Sequence, residues 1–262
     1  MPRANRHALP GHVWHITHRC HRQQFLLKFV RDRRRWRQWL FEARTRYGLC
    51  VLDFIVTSNH IHLLVQDRGH GEIAKSLQLI AGRTAQDYNR RKQRRGAYWE
   101  DRYHATAVEA DTHLGRCITY IDLNMVRAGA VAHPQAWDAC GYREIQNPPA
   151  RYRVIDYPAL MKLLGMSSFQ QLQLAHRNWI EEALKAEPTK RDERWSQSLA
   201  IGSHEFVSQF QADLGPTAIH RDIEEHGESH VLREDAGLYT PVSEGKTTRL
   251  RTENVVFLDG SV

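Results

Sequence analysis

The stretch LCVLDFIVTSNHIHLLVQ (Leu49–Gln66) contains two short apolar runs separated by three polar residues. The first run, Leu49–Val56, is rich in β-branched and aromatic residues, and the second, His60–Gln66, is apolar apart from two histidines and a final glutamine. The connecting Thr57-Ser58-Asn59 consists of residue types that favour turns. The stretch therefore predicts two antiparallel strands joined by a short hairpin.

Helix and strand signals alternate on both sides of this hairpin. We predict, in chain order, a strand over His12–Cys20, a helix over Lys28–Tyr47, the hairpin, a helix over Glu72–Arg91, a strand over Tyr103–Glu109 and a helix over Thr112–Arg127. The order β-α-β-β-α-β-α fits an α+β fold with a ferredoxin-like antiparallel sheet and helices on one face.

The sequence changes character after Pro148-Pro149. Short helical patterns follow, over Tyr157–Leu164, Ser168–Lys185 and Arg194–Leu214, and the chain becomes polar and acidic from about His226. We therefore predict three parts: a first domain of residues 1–147, a helical C-terminal appendage of residues 148–225, and a polar, acidic tail of residues 226–262 that is loose or disordered.

Composition and hydropathy exclude several classes of protein. The 262 residues are 41% hydrophobic and 26% charged, which is ordinary for a folded soluble protein and excludes collagen-like or wholly disordered chains. No apolar run is long enough to span a membrane, and the N-terminus lacks a secretory signal. We expect a cytoplasmic protein without a membrane partner, in which Cys20, Cys50, Cys117 and Cys140 are reduced and partly buried, because none is paired in a C-x-x-C motif.

Positive charge is concentrated in the first part of the chain. Residues 1–160 carry a net charge of +12 and residues 161–262 a net charge of −5, giving +7 overall. Two basic clusters lie beside aromatic residues, an arrangement that suits phosphate pairing and base stacking, although a single run of this kind is also typical of a solvated helix face. The candidate nucleic-acid ligands are Arg31, Arg33, Arg34, Arg35, Arg90, Arg91, Lys92, Arg94, Arg95 and Trp99.

Two short motifs supply candidate catalytic groups. His60 and His62 lie two residues apart on a predicted strand, so both side chains project from the same face, as in half of a metal site. Tyr120 and Asn124 lie four residues apart on a predicted helix and share one helix face. Taken alone, each motif is also compatible with a surface histidine pair and with an amphipathic core tyrosine.

Two other sites are suggested by local patterns. Residues 69–76 (GHGEIAKS) resemble a phosphate-binding loop, but Ala74 stands where the cradle needs glycine, and the accompanying apolar run Val255–Asp259 ends too near the chain end for a parallel sheet. The second possible site is a zinc-binding module formed by His12, His15, His18, Cys20 and His21. On a strand, however, His12 and His18 face one side while His15 and His21 face the other.

Several motifs between about residues 9 and 146, in the same order, resemble those of the single-tyrosine HUH transposases, in the branch of the IS200-like and REP-associated tyrosine transposases. Two departures occur: Met125 stands where the family commonly has proline, and Thr57-Ser58 where it commonly has Met-Pro. The motifs are Arg46-Tyr47-Gly48, Thr57-Ser58-Asn59-His60-Ile61-His62-Leu63-Leu64-Val65, Tyr88-Asn89-Arg90-Arg91, Gly96, Trp99, Arg102 and Tyr120-Ile121-x-x-Asn124-x-Val126-Arg127-Ala128-Gly129.

This resemblance implies roles for individual residues. His60, His62 and Asn124 would hold a divalent metal, Mg²⁺ or Mn²⁺, Tyr120 would be the nucleophile, and Arg102 joins the candidate DNA ligands. The implied activity is cleavage and rejoining of single-stranded or hairpin DNA, such as REP-like repeats, through a 5′-phosphotyrosine intermediate, by a monomer or homodimer. The alternative is a non-catalytic DNA-binding protein derived from a transposase.

Overall fold

A computed structural model describes residues 9–186, 192–218 and 221–233. The strands are β1 (Val13–Arg19), β2 (Cys50–Val56), β3 (His60–Gln66), β4 (His104–Val108), β5 (Ser198–Gly202), β6 (Ile223–His226) and β7 (Ser229–Arg233). The helices are α1 (Val30–Tyr47), α2 (Glu72–Arg91), α3 (Thr112–Asp122), α4 (Asn124–Arg127), α5 (Gly141–Gln146), α6 (Tyr157–Leu163), α7 (Phe169–Lys185), α8 (Arg194–Gln197) and α9 (His204–Leu214).

The strands form one sheet in the order β2-β3-β1-β4-β5-β7-β6. The first four strands pair antiparallel and, with α1 and α2, form the predicted ferredoxin-like core. The predicted hairpin is confirmed, with Ile55 paired to His62 and Val56 to Ile61. Its turn is held by the hydroxyl oxygen of Thr57, which accepts hydrogen bonds from the backbone N–H groups of Asn59 and His60.

Helices cover both faces of this core, not one face as the sequence predicted. On one face α1 packs against α2 and, through Trp36, against Phe54 of β2, with ring centroids 6.5 Å apart. Because Asp53 precedes Phe54, its side chain lies on the opposite face, where α3 and α5 also contact β2. The side chains of His60 and His62 also project from that second face, beneath α3.

The region after residue 147 is not purely helical, which corrects the prediction of a helical appendage. Instead of one helix over Arg194–Leu214, the chain forms α8, then β5, then α9. Strand β5 pairs parallel with β4, matching Ala107 with Ala200, and β6 and β7 continue the sheet. β5 is fully buried, so its apolar residues extend the core of the first domain. Of the predicted tail, residues 226–233 include β7, and the remainder lies outside the described residues.

The phosphate-loop alternative does not fit the sheet. Strand β3, which precedes residues 69–76, is antiparallel to both of its neighbours, whereas a phosphate-binding loop follows a parallel strand. The accompanying run Val255–Asp259 lies outside the described residues. None of the described helices is both long enough and apolar enough to cross a membrane. The four cysteines are buried and unpaired, as predicted.

Gly141, the first residue of α5, allows this helix to approach β2 closely. A Cβ atom on Gly141 would collide with Oδ1 of Asp53 and lie 3.2 Å from the backbone nitrogen of Phe54. Asp53 is fully buried, and burial together with the charge of Asp122 raises the pKa of its carboxyl well above the usual range. Its side chain therefore has little room to move aside.

We expect Gly141→Ala to lower the free energy of unfolding by about 3 kcal/mol, because the added methyl overpacks a buried contact. Gly82→Ala is the matched control, since Gly82 is an exposed position inside α2 where a Cβ meets nothing within 4 Å. This control is expected to stabilise the protein by about 1 kcal/mol through helix propensity. Urea denaturation monitored by tryptophan fluorescence measures both values, and equal stability of the two variants would contradict the expected packing.

Candidate active site and nucleic-acid interface

The catalytic candidates from two distant parts of the chain meet in one cleft. His60, His62, Tyr120, Asn124 and Arg102 all line an open cavity of about 640 Å³. The pairing of β1 with β3 places Arg19 beside His60 and Thr17 beside His62, so the cleft lies at the edge where β3 begins. The cleft thus unites the two motifs that the sequence singled out.

His60 and His62 project from the same face of β3, with ring centroids 5.0 Å apart. Nδ1 of His60 lies 2.8 Å from Oδ1 of Asn59 and 3.0 Å from Oγ1 of Thr57. Since the Asn59 oxygen only accepts, Nδ1 of His60 carries the proton and Nε2 presents a lone pair. The hairpin turn therefore fixes the orientation of His60.

His62 is almost fully buried, and both of its ring nitrogens have partners. Its Nδ1 lies 2.8 Å from Nε2 of His15 on β1, and its Nε2 lies 3.0 Å from Nδ2 of Asn124. His15 is completely buried, and burial lowers its pKa to about 3. The stacked His15 and His62 rings are 5.0 Å apart.

Two imidazoles and one carboxamide form a donor set that suits a divalent ion. Imidazole nitrogen binds divalent first-row transition metals, and the carboxamide of Asn124 offers a carbonyl oxygen, which suits Mg²⁺ and Mn²⁺, as well as its N–H groups. Among the described residues, no group of three or more His, Cys, Asp and Glu side chains converges as a metal site. Asn124, whose side-chain amide contacts His62, is the remaining candidate ligand that the sequence predicted for a site at His60 and His62.

Tyr120 is 7% exposed and its ring is held on several sides. It meets the His62 ring edge-on at 5.7 Å between centroids and stacks with the indole of Trp195 at 6.0 Å and 28°. Cζ of Arg127 lies 4.3 Å from the Tyr120 centroid, and Nη2 of Arg127 donates to the Tyr120 carbonyl at 2.6 Å. The Arg127 cation and the rings of His62 and Trp195 thus fix the position of this phenol.

The helix that carries Tyr120 and Asn124 is interrupted where the sequence predicts it to be continuous. α3 ends at Asp122 and α4 begins at Asn124, with Leu123 between them. The guanidinium of Arg127 takes the Tyr120 carbonyl as its acceptor. Tyr120 and Asn124 nevertheless line the same cleft, as predicted from their spacing.

The two basic clusters come together because α1 and α2 pack side by side. A groove of about 550 Å³ between them is lined by Arg31, Arg34 and Arg35 of α1 and Arg91 of α2, together with Tyr88. Arg35 forms an ion pair with Asp87 at 2.6 Å, and Arg91 pairs with Asp32. Arg31 and Arg34 are exposed and complete a cationic groove.

Arg33 does not belong to this interface, which corrects the prediction for that residue. Its side chain is buried and donates to the carbonyls of Leu27 and Lys28, with the guanidinium 4.3 Å from the centroid of the Trp137 ring. The helical period turns Arg33 inward while Arg31 and Arg34 stay exposed. Arg33 is therefore a structural residue.

The loop that follows α2 connects the groove to the cleft. Trp99 pairs with Cys20 at the end of β1, and Glu100 donates its backbone N–H to the Arg19 carbonyl at 3.0 Å. Arg90, Lys92, Arg95 and Arg102 are exposed along this path. The loop therefore runs from the end of α2, beside the cationic groove, to Glu100 and Arg102, which line the cleft on the other face of the sheet.

Two predicted DNA ligands on this path have mainly internal contacts. The Arg94 guanidinium donates to the Ala97 carbonyl at 2.9 Å, which braces the loop. The Trp99 indole donates to the Ala81 carbonyl at 3.0 Å and stacks on His18 at 4.1 Å between centroids. One face of the Trp99 ring is therefore already covered.

Sequence reasoning missed two residues that contact the catalytic candidates. The first is His15, which was considered only for a zinc module and instead contacts His62. His18 lies on the other side of the same strand, against Trp99, so the two histidines do not share a site. The second, Trp195, lies in the helical pattern predicted over Arg194–Leu214, and no motif singled it out. The strand alternation could have placed His15 on the face of His62, but no local signal places Trp195 beside Tyr120.

Comparison with known proteins finds a family that is similar to the part of the chain that carries this site. Residues 10–124 match the family described as "Transposase IS200 like". The fold is similar to that of a REP-associated tyrosine transposase solved with a REP hairpin, with 16% identity, a TM-score of 0.47, and 60% of this chain and 94% of that chain covered. A protein from Deinococcus radiodurans R1 described as a transposase gives 15% identity and a TM-score of 0.32 over 40% of this chain and 84% of its own.

No curated protein sequence matches the chain significantly. The family match includes the hairpin with His60 and His62 and extends to Asn124, so every catalytic candidate lies inside it. Residues 10–124, which carry the candidate site, are therefore similar to the IS200-like transposase family.

Proposed function

We propose that this protein cleaves and rejoins single-stranded or hairpin DNA, with Tyr120 as the nucleophile and a divalent metal at His60, His62 and Asn124. The observation that carries the proposal is the convergence of these four side chains in one open cleft. A phenol, two imidazoles and a carboxamide have no need to meet at a solvent-accessible surface for the stability of the fold. Their convergence is typical of a reaction centre.

The proposed reaction transfers a phosphoryl group to the tyrosine. The phenol oxygen of Tyr120 attacks a DNA phosphorus atom, the P–O3′ bond breaks, and the 5′-phosphate becomes linked to Tyr120. The phenol loses one proton in this step, and the 3′-oxygen gains one proton and leaves as a hydroxyl. Rejoining reverses these steps with another 3′-hydroxyl, so the phosphotyrosine link makes ATP unnecessary.

The phenol must be activated, because its ordinary pKa is near 10. Arg127 contributes a positive charge over the ring, with its Cζ 4.3 Å from the centroid. A bound divalent ion would polarise the phosphate and orient its oxygens. His60, His62 and Asn124 are the residues that would hold this ion.

The cationic groove supports a DNA substrate. Its exposed arginines suit pairing with phosphates, and Phe29, 56% exposed near Lys92, offers a ring for stacking. A single strand is favoured over duplex because the partly buried tyrosine must reach one phosphate without a second strand in its way. The preference for a hairpin, such as a REP-like repeat, comes from the resemblance of the motifs to those of REP-associated transposases.

We expect the protein to prefer a hairpin that carries a single-stranded flank. The measurement is competition at fixed salt among a palindromic hairpin with flank from the DNA beside the gene, the fully paired duplex and a scrambled single strand of equal length. Preference for the flanked hairpin, with a covalent protein–DNA adduct, supports the proposal. Equal affinity for all three and no adduct would indicate a non-catalytic polyanion-binding protein.

Binding is also expected to weaken steeply with salt, with a log–log slope of about −0.7 per contacted phosphate. Arg31→Glu and Arg34→Glu should each flatten this slope, because both side chains are exposed in the groove. Arg177→Glu is the matched control, since Arg177 is exposed on α7 outside the groove. A slope that changes equally in the control and the groove variants would contradict the assignment of the interface.

A further inference from the structure

Helix α8 lies against the candidate active site. It begins seventy residues after the end of the segment that matches the transposase family. Trp195 is 7% exposed, and its backbone carbonyl accepts a hydrogen bond from Nδ1 of His15 at 2.7 Å. Its indole stacks on Tyr120. One residue of the C-terminal region therefore contacts both the candidate nucleophile and the histidine that supports His62.

The sheet holds α8 in this place. β5 follows α8 directly and pairs with β4, and the carbonyl of Ser198 accepts hydrogen bonds from Oγ1 of Thr106 at 2.7 Å and Nε2 of His104 at 3.0 Å. Both donors belong to β4, the neighbour of β1. The position of Trp195 is thus fixed by the core and not by surface contacts.

The hydrogen bonds determine where the protons lie. A carbonyl oxygen only accepts, so His15 donates from Nδ1 to Trp195. A fully buried neutral imidazole carries one proton, so Nε2 of His15 must accept, and His62 donates to it from Nδ1. Nε2 of His62 is then left as the lone-pair nitrogen, which accepts from the Asn124 amide in the structure.

That tautomer is the one a metal ligand needs. A histidine that binds a metal through Nε2 donates its Nδ1 proton to a second residue, and such partners set both ring orientation and ligand basicity. Asn124 donates to His62, His62 donates to His15, and His15 donates to the Trp195 carbonyl. His62 therefore carries its lone pair on the side of the cleft.

We propose that α8 is a positioning element of the active site, an inference that rests on the function proposed above. Trp195 orients Tyr120 through its indole and, through its carbonyl and His15, fixes the tautomer of His62. The C-terminal region would then be required for catalysis. Trp195 and His15 are positioning residues.

The tautomer can be measured without DNA or cleavage. In full-length protein labelled with ¹⁵N-histidine and without added metal, long-range ¹⁵N–¹H NMR should show His62 protonated at Nδ1, with the signal assigned by its loss in His62→Gln. His15→Leu should give a mixture of tautomers, and His15→Gln, which retains an acceptor, should restore the Nδ1–H form. His62 protonated at Nε2 in the wild type would overturn the inference.

Metal binding gives a second test of the His15 link. We expect His15→Leu to weaken Mn²⁺ binding, measured by the EPR signal of free Mn²⁺, by about 10- to 100-fold, as outer-shell substitutions do. His15→Gln should recover most of this loss. Unchanged Mn²⁺ affinity in His15→Leu would contradict the proposed role.

The indole of Trp195 is tested separately, because substitution removes the ring but keeps the carbonyl. Trp195→Ala is expected to slow formation of the DNA adduct by about 100-fold through misplacement of Tyr120, with DNA affinity and Mn²⁺ binding unchanged. Trp195→Phe, which retains a ring, should lie between Ala and wild type. Trp179→Phe is the matched control, since Trp179 of the same region packs at Gly115 on α3 and not on Tyr120.

These outcomes separate this inference from the proposed function. If wild-type protein forms no adduct, the proposed function is wrong whatever the tautomer of His62. If the adduct forms but Trp195→Ala forms it at the wild-type rate, the role of α8 is wrong and the proposed function stands.

Discussion

Replacement of Tyr120 by phenylalanine is expected to abolish the covalent protein–DNA adduct completely. Only the hydroxyl is lost, so the ring can still pack against Trp195 and Arg127. DNA affinity should therefore remain close to that of the wild type, while no oxygen is available to attack phosphorus. A radiolabelled hairpin incubated with the protein and resolved on a denaturing gel measures the adduct directly, and fluorescence anisotropy measures binding.

Tyr152→Phe is the control for this experiment. Tyr152 is 71% exposed and packs edge-on against Phe41, outside the cleft, so its hydroxyl should be dispensable. An adduct of undiminished yield in Tyr120→Phe would contradict the assignment of the nucleophile. Tyr103 would then be the next tyrosine to test, since its ring lies near His18 at 6.4 Å between centroids.

His62→Ala is expected to remove both cleavage and tight Mn²⁺ binding. The substitution deletes one of the three proposed protein ligands and also the partner of His15 and Asn124. The loss of Mn²⁺ affinity should therefore exceed the roughly 10- to 100-fold that outer-shell substitutions cause. Titration calorimetry measures metal binding, and cleavage of the labelled hairpin with and without excess EDTA measures dependence on metal.

His70→Ala supplies the matched histidine control. His70 is exposed after the opposite end of β3, so its loss should affect neither metal binding nor cleavage. Full activity of the wild type in excess EDTA would show that no metal is used. In that case His62→Ala could still lower activity through the position of Tyr120, but the metal assignment would be withdrawn.

Local sequence signals predicted the elements whose structure depends on nearby residues. The hairpin of β2 and β3 follows from two apolar runs and a polar turn, and α2 spans Glu72–Arg91, the range that the apolar spacing predicted. α1 ends before Gly48, which adopts φ 71°, a conformation that favours glycine. Side-chain alternation on β3 also correctly placed His60 and His62 on one face.

Local signals failed where long-range pairing decided the conformation. The five residues of β5 are as compatible with a helix as with a strand, and only the buried edge of β4 selects the extended form. The boundary between β5 and α9, which was missed, lies at Gly202 and Ser203. The Ser203 hydroxyl accepts a hydrogen bond from the Phe206 N–H and so caps the start of α9. Arg33 was misassigned because a run of arginines does not reveal which one the helical period turns inward.

The sequence by itself determined the ferredoxin-like core and which candidate side chains share a face, since strand and helix periods fix these faces. The roles expected of these side chains, as metal ligands and nucleophile, came from the resemblance of the motifs to a known family. Tertiary structure alone decided that Tyr120 meets His62, because they come from elements almost sixty residues apart. It also decided that the carbonyl of Trp195 reaches His15 and that Arg91 of α2 shares one groove with the exposed arginines of α1. The physical reason is that buried hydrogen bonds and packing between distant segments depend on the folded sheet, and no spacing along the chain encodes them.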